Sequence, residues 1–252
     1  MIGAVLTGVT ARLLGVAEFG VLGTVTVIVA NLNRLFSFRM GEVVVKYMGE
    51  ALAQGEKERA AAVVKVAFLT EAVTSLLAFV MLILLAPLAA RYFAKDAQAD
   101  HLFILYGLSI LANAFSEAAV GVLQVTGHFR SQAVINLVQT VLVAVLLGVA
   151  AVNRSGLLFV LGVYLLGKII LGLGPVLVAF YWLPRLLGSG WLRAPIAALP
   201  PLREMARFAL HTNFNGTVTM VARDSEVPVA SFFFGPAAAG YYKIALALIN
   251  LI

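Results

Sequence analysis

Residues 61–86 read AAVVKVAFLTEAVTSLLAFVMLILLA, in which only Lys65 and Glu71 are charged, and Pro87 ends the apolar run one residue later. An α-helix needs ~20 apolar residues to cross the hydrocarbon core of a bilayer, and this segment exceeds that length. The whole chain of 252 residues is 62% hydrophobic, with a mean hydropathy of +1.00. The sequence therefore predicts an all-α, polytopic helical membrane protein.

Further apolar stretches on both sides of this segment predict additional transmembrane spans. They are residues 1–11, 21–38, 102–125, 132–152, 157–183, 208–234 and 241–252. The first and the last are shorter than a span, and half a span would leave backbone groups unpaired in lipid. We therefore expect the chain to be a fragment of a longer protein.

The arrangement of polar segments predicts three regions. Residues 1–183 form a first transmembrane bundle of spans one to six, residues 184–207 form a basic linker, and residues 208–252 hold spans seven and eight. The polar segment 39–60 carries apolar residues at helical spacing, which predicts an amphipathic helix at the membrane interface. These apolar residues are Val43, Val44, Tyr47, Met48 and Leu52.

The net charge of +6 has a membrane explanation. Cytoplasmic loops collect Lys and Arg, and no basic helix interleaved with aromatic residues is present, so we expect no nucleic-acid partner. If the loop 39–60 is cytoplasmic, that side holds nine basic residues: Arg39, Lys46, Lys57, Arg59, Arg130, Arg185, Arg193, Arg203 and Arg207. The opposite side holds five: Arg12, Arg91, Lys95, Arg154 and Lys243. This excess predicts a cytoplasmic linker and a cytoplasmic N-terminus.

Polar side chains recur on one face of several predicted spans, assuming ideal helices of about 100° per residue. Polar groups that face lipid cost several kcal/mol each, so these stripes predict a hydrated central cavity. The stripe residues are Thr24, Asn31 and Arg34; Ser109, Asn113, Ser116, Glu117 and Gln124; Gln132, Asn136, Gln139 and Thr140; Lys168; and Thr212, Asn215, Thr219, Arg223 and Glu226.

A plainer interpretation stays open beside the cavity. Hydroxyl and amide side chains often serve only as hydrogen bonds between transmembrane helices, and buried charges also form structural ion pairs. Lys65 and Glu71 stand near the start of span three, where we expect them to reach back to the interface. Gly172, Gly174 and Pro175 predict a break and a flexible point in span six.

Catalytic signatures are absent from the sequence. The chain has no cysteine, no GxxxxGK[ST] phosphate loop, no HExxH motif and no Cys/His cluster. We therefore expect no enzyme activity, no cofactor, no catalytic residue and no metal site.

Three stretches resemble a known family. They are Arg12-Leu-Leu-Gly15-Val-Ala-Glu18-Phe-Gly20, the turn Gly127-His-Phe129, and DSEVPVASFFFGPAAAGYYKIA from Asp224 to Ala245. In this order they are similar to motifs of bacterial polysaccharide (O-antigen type) flippases, members of the multidrug/oligosaccharidyl-lipid/polysaccharide exporter superfamily. The resemblance implies a transporter of twelve to fourteen helices, of which this chain is the first six-helix bundle and the start of the second.

The resemblance also implies a function in the cell envelope. Such a transporter moves a glycan linked to undecaprenyl diphosphate, such as a lipopolysaccharide O-antigen precursor, across the bacterial cytoplasmic (inner) membrane by alternating access. Its partners would be the lipid-linked glycan, membrane lipids, a glycan polymerase and a chain-length regulator.

Within this framework the polar stripes supply candidate site residues. A diphosphate needs cations and a sugar chain needs amide and hydroxyl partners. We expect Arg34, Lys168 and Arg223 to bind the diphosphate or acidic sugars, and Glu117 or Asp224 to carry a coupling ion. The amides expected to line the glycan path are Asn31, Asn113, Asn136, Gln139 and Asn215.

Two alternative functions remain at this point. A multidrug or cation antiporter of the same superfamily would share the architecture, although the excess of Arg and Lys over acidic residues in the spans disfavours a site for cationic drugs. A polytopic glycan polymerase or transferase would need catalytic residues in large external loops, and the predicted loops are short.

Overall fold

The computed structural model of the chain describes residues 2–249, except for the side chains of Ile2, Ala4, Arg223 and Asp224. The structure is 89% helical, and the described residues include no strand. The helices are α1 (Ile2–Phe36), α2 (Met40–Val43), α3 (Gly49–Ala53), α4 (Lys57–Ala89), α5 (Asp100–Ala112), α6 (Ser116–Val125), α7 (Phe129–Val152), α8 (Leu157–Leu187), α9 (Leu202–Asp224), α10 (Glu226–Phe234) and α11 (Pro236–Ile249). A π-helical turn, Val44–Met48, joins α2 to α3, and another, Ala90–Ala94, extends α4.

The membrane character of the sequence is borne out by the lengths of these helices. Between residues 2 and 249, five helical segments are long and apolar enough to cross a membrane: Val5–Phe36, Lys57–Ala94, Ala97–Val125, Phe129–Val152 and Leu157–Leu187. Helix α11 is a shorter apolar helix. The predicted fold class, an all-α polytopic membrane protein, is confirmed.

Several predicted helix boundaries change in the structure. The predicted spans 1–11 and 21–38 form one element, α1, which bends at Gly15 with φ 74° and ψ 166°. Only glycine adopts this backbone conformation without strain, so Gly15 permits the change of direction. The predicted span 102–125 is interrupted between Ala112 and Ser116, and the predicted span 208–234 is interrupted at Ser225.

The break predicted in span six is wrong. Helix α8 continues from Leu157 to Leu187 through Gly172, Gly174 and Pro175. A methyl group on Gly172 would overlap the Ala112 carbonyl, and one on Gly174 would lie 2.8 Å from the Ile135 side chain. These glycines therefore allow close packing of α8 against neighbouring helices, and they do not end the helix.

Two apolar clusters fill the interior. One joins α1, the second half of α4, α5, α7 and α8, and the other joins the α2–α3 segment, the first half of α4, α6, α8 and α9. The predicted amphipathic segment is helical, and its Val43, Val44, Tyr47 and Met48 are buried in the second cluster. Large apolar side chains remain exposed on the outer faces of α4 and α7, where they suit contact with lipid; examples are Leu76, Leu84, Val141 and Val145.

Helices α1 and α11 approach one another through glycine. A methyl group on Gly20 would overlap the Pro236 carbonyl oxygen, and a methyl group on Gly240 would overlap the Val16 carbonyl oxygen. Gly235 precedes α11 with φ 85° and ψ 174°, which nearly repeats the conformation of Gly15. Helix α11 is thereby held against the part of α1 that follows the bend at Gly15.

Replacing Gly20 or Gly240 by Ala should destabilise the protein. The added methyl group would meet backbone atoms, which no change of rotamer can move, and overpacking of this kind costs about 1–3 kcal/mol. We expect Gly20→Ala and Gly240→Ala each to lower the midpoint of thermal unfolding in detergent by several degrees.

The matched control is Gly148→Ala on the exposed face of α7, where no atom lies within 4 Å of the added methyl group. Alanine is the better helix former, so this control should keep or slightly raise the midpoint. Equal midpoints for Gly20→Ala and Gly148→Ala would contradict the close contact.

Candidate functional site

A polar cavity of about 210 Å³ lies inside the bundle, between α1, α4, α5, α6 and α8. We call it the central cavity. Ionisable groups enter it from four helices: Arg34 from α1, Glu71 from α4, Glu117 from α6 and Lys168 from α8. Its other polar lining residues are Asn33, Ser37, Thr74, Ser75, Tyr106, Ser109, Asn113 and Ser116.

The interruption between α5 and α6 provides part of this lining. Asn113 Nδ2 donates to the Ser109 carbonyl at 2.6 Å, and Ser116 Oγ donates to the Asn113 carbonyl at 3.0 Å. Both carbonyls also accept backbone N–H groups, from Asn113 and Ser116, so the side chains add second hydrogen bonds at a break whose backbone must be satisfied within the protein. The break places Glu117 in the first turn of α6, open to the cavity.

Helix α6 is held in place from two sides. Gly41 of α2 and Gly121 of α6 pack closely: a methyl group on Gly41 would lie 2.6 Å from the Glu117 carbonyl oxygen, and one on Gly121 would lie 2.6 Å from the Gly41 carbonyl oxygen. From α4, Glu71 Oε1 accepts a hydrogen bond from the Ala118 N–H at 2.7 Å. The position of Glu117 therefore depends on both contacts.

Glu71 is a site residue that the sequence analysis missed. Its side chain is only 6% exposed and lines the central cavity, so the expectation that it reaches back to the interface is wrong. The same expectation was made for Lys65. Its Nζ donates to the carbonyl of Ala194, a residue of the linker, at 3.2 Å. Span three was expected to begin at residue 61, which placed Glu71 within reach of the interface, whereas α4 begins at Lys57 and Glu71 faces the cavity.

Two further cavities adjoin the central one. The α9 cavity, of about 720 Å³, shares Arg34, Ser37 and Glu117 with it, and the α7 cavity, of about 360 Å³, shares Lys168. The α9 cavity is lined in addition by Arg39, Glu42, Thr212, Asn213, Asn215, Gly216, Thr219 and Met220. The α7 cavity is lined in addition by Gly3, Leu6, Thr7, Gln139, Thr140, Val143, Tyr164, Gly167 and Leu171.

The α9 cavity is bounded by contacts between the first helices and α9. Asn213 Nδ2 donates to the Ser37 carbonyl, and a methyl group on Gly216 would lie 2.7 Å from the Arg39 guanidinium. Arg39 pairs with Glu42 at 2.7 Å, and both side chains are about half exposed. The charges at this end of the site are thus partly matched to each other and open to solvent.

The structure brings together six of the predicted site residues. Arg34, Asn113, Glu117 and Lys168 line the central cavity, Asn215 lines the α9 cavity and Gln139 lines the α7 cavity. The remaining predictions lie elsewhere. Asn31 is half-buried and Asn136 is exposed, and neither lines the three cavities. The side chains of Arg223 and Asp224 are outside the described part of the structure.

Some stripe residues have a structural role instead. Thr24 is buried and donates to Ser231 Oγ at 3.1 Å, and Ser231 Oγ donates to the Phe93 carbonyl at 2.7 Å. This network is the interhelical hydrogen bonding that the plainer interpretation describes. Gln124 is exposed and does not line the central cavity, although it shares a face of α6 with Glu117, because it lies about two helical turns further along the helix.

Lys243 lies within α11, close to the start of the predicted eighth span. Its side chain packs against α1 at Gly23, with Nζ 3.4 Å from Thr26 Oγ1 and 5.5 Å from the centroid of the Phe19 ring. The interface between α1 and α11 therefore contains a basic side chain.

The geometry favours recognition of a polar, charged molecule. Two cations and two carboxylates from four helices face one cavity, surrounded by hydroxyls and amides that can donate or accept hydrogen bonds. Among residues 2–249, no group of three or more His, Cys, Asp or Glu side chains is placed to hold a metal ion.

Comparison with known proteins identifies the family. Neither the curated proteins nor the solved structures include a match to this chain. A family model described as polysaccharide biosynthesis protein matches residues 9–252, which is nearly the whole chain. The family indicated by the three sequence motifs is confirmed by this match. A multi-pass helical chain with a charged internal cavity thus belongs to the polysaccharide biosynthesis protein family.

Proposed function

We propose that this chain moves a glycan linked to undecaprenyl diphosphate across the bacterial cytoplasmic membrane by alternating access. The observation that carries the proposal is the presence of Arg34 and Lys168, from α1 and α8, in one internal cavity. Cations within an apolar bundle are costly to bury, and their usual role is to bind a substrate or an ion. Family membership supports participation in polysaccharide biosynthesis or transport.

The chemistry of the cavities suits each part of such a substrate. Arg34 and Lys168 can form charge-assisted hydrogen bonds with a diphosphate, whose oxygens accept from guanidinium and ammonium groups. Asn113, Gln139 and Asn215 extend from the central cavity into its two neighbours and can bond sugar hydroxyls. The polyprenyl tail would stay in lipid, against the apolar outer faces of α4 and α7.

Other features belong to the same proposal. We infer transport without catalysis, with residues 39–60 and the linker 184–207 on the cytoplasmic side and a cytoplasmic N-terminus. Residues 1–183 would form one bundle and residues 208–252 the start of a second, and movement between them would expose the cavity alternately. A glycan polymerase and a chain-length regulator would act on the transported product, and Glu117 or Asp224 would carry a coupling ion.

A multidrug or cation antiporter is the second candidate, and one observation favours it. Glu71 joins Glu117 in the central cavity, so two carboxylates there balance the two cations. A cation antiporter would depend mainly on the carboxylates, whereas a diphosphate transporter would depend mainly on Arg34 and Lys168. The two functions therefore predict opposite sensitivities to substitution.

Removing either cavity cation should strongly reduce glycan export. In the full-length protein, Arg34→Ala or Lys168→Ala would each remove one of the two charged partners of the diphosphate, so we expect surface glycan to fall at least about tenfold, consistent with the loss of one charge-assisted bond. Surface glycan is measured by lectin binding to intact cells, with membrane insertion checked by immunoblot.

Lys57→Ala and Arg91→Ala are matched controls, because both residues are exposed at helix ends and line none of the three cavities. Their export should equal that of the wild type. Wild-type export by both Arg34→Ala and Lys168→Ala would rule out the diphosphate assignment. The antiporter would be favoured if efflux of a cationic drug were lost in Glu71→Gln and Glu117→Gln but kept in Arg34→Ala and Lys168→Ala.

The cavities should be hydrated. The chain has no cysteine, so a single introduced cysteine reports only on its own position. We expect a charged, water-soluble thiol reagent to modify Asn215→Cys in the α9 cavity much faster than Val145→Cys on the lipid-facing side of α7, because thiolates react only where water reaches them. Equal labelling rates at the two positions would support hydrogen bonding between helices without a water-filled path.

A further inference from the structure

Glu71 holds an unusual position for an acidic side chain in a transmembrane helix. It is the fifteenth residue of α4, counting Lys57 as the first, and is only 6% exposed. Its neighbours across the central cavity include Ser75 on its own helix and Ser109 and Asn113 at the end of α5. The carboxylate therefore stands inside the bundle, at the level of the helix break.

The two oxygens of this carboxylate have different surroundings. Oε1 accepts the 2.7 Å hydrogen bond from the Ala118 N–H, in the first turn of α6. The N-terminus of a helix carries a partial positive charge, so this contact orients and stabilises the anion. Oε2 is fully buried and has no hydrogen-bond partner among the residues that the structure describes.

An unsatisfied buried carboxylate oxygen is destabilising, because a charged acceptor loses its water without replacement. A bound cation would compensate for that loss. Oxygen ligands for it are at hand in the same cavity, in the Glu117 carboxylate, the Ser75 hydroxyl and the Asn113 side-chain carbonyl. Hard cations prefer oxygen ligands of these types.

We propose that Glu71 Oε2, with Glu117 beside it at the α5–α6 break, forms a binding site for a monovalent cation, either a proton or Na⁺. The ionisable groups around it in the central cavity are Glu117 from α6, Tyr106 from α5, Arg34 from α1 and Lys168 from α8, and Arg39 and Glu42 share the adjoining α9 cavity with Glu117. Repulsion between the two carboxylates favours uptake of one positive charge, and Arg34 and Lys168 limit the site to a single charge.

Binding of the ion would be coupled to the arrangement of α6 at the helix break. Glu71 bridges α4 to α6, so a cation on its free oxygen stabilises the arrangement in which α6 keeps Glu117 in the cavity. A role in driving transport rests on the proposed function, whereas binding of the cation does not. The site can therefore be tested on purified protein without any glycan.

The test measures thermal unfolding of the purified full-length protein in lipid nanodiscs. In one arm NaCl replaces choline chloride at constant ionic strength and alkaline pH. In the other arm the pH is lowered in the absence of Na⁺. A ligand that binds only the folded state raises the midpoint with its concentration, so the wild type should gain several degrees in one of the two arms. The first arm identifies Na⁺ and the second identifies the proton.

Glu71→Gln keeps the shape of the side chain and can retain the bond to Ala118, but it removes the charge. We expect it to lose the response, with an apparent cation affinity weaker by about tenfold or more. Glu58→Gln, an exposed position in the first turn of the same helix, should respond as the wild type does. If Glu71→Gln does not fold, Glu71→Asp keeps the charge and should shift the concentration dependence without abolishing it.

The proposal would be overturned by a wild type that responds in neither arm, or by Glu71→Gln or Glu71→Asp responding with wild-type affinity. Failure of the transport proposal has a different signature. In that case Arg34→Ala and Lys168→Ala would export glycan normally while the cation response still depended on Glu71.

Discussion

The hydrogen bond from the Ala118 N–H to Glu71 sustains the part of the fold in which the cavity lies. A helix interrupted within a membrane exposes backbone groups that lipid cannot satisfy, so an interruption survives only where protein or water supplies partners. Here a carboxylate from α4 accepts from the Ala118 N–H at the start of α6, and Asn113 and Ser116 add side-chain donors to carbonyls at the end of α5. These polar side chains line the central cavity at the helix break.

This arrangement explains why the ionisable residues converge. Arg34, Glu71, Glu117 and Lys168 come from distant parts of the chain, and each would be costly if it faced lipid. Placed around one cavity, they balance one another's charge. The outer faces of α4 and α7 expose apolar side chains that suit contact with lipid, such as Leu76, Leu84, Val141 and Val145.

The sequence was sufficient to predict the fold class and part of the site. Arg34, Asn113, Glu117 and Lys168 could be selected because a polar residue in an apolar span is informative wherever it stands. Glu71 was set aside because it was expected near the start of span three, whereas α4 begins at Lys57 and Glu71 faces the cavity. Gln124 was misplaced because a helical wheel gives the face on which a residue lies and not its distance along the helix from the cavity. Pro175 led to the opposite error, the prediction of a break where the helix is continuous, because α8 continues through Pro175.

The turns at Gly15 and Gly235 have the same backbone conformation, and each is followed five residues later by a glycine that touches the other helix. Gly20 contacts Pro236, the residue after Gly235, and Gly240 contacts Val16, the residue after Gly15. The two contacts therefore join equivalent positions of the two turns. Such reciprocity is the mark of an isologous interface, here formed within a single chain around an approximate two-fold axis. Complete separation of α1 from α11 would break both glycine contacts, so the close approach at one turn is tied to the close approach at the other.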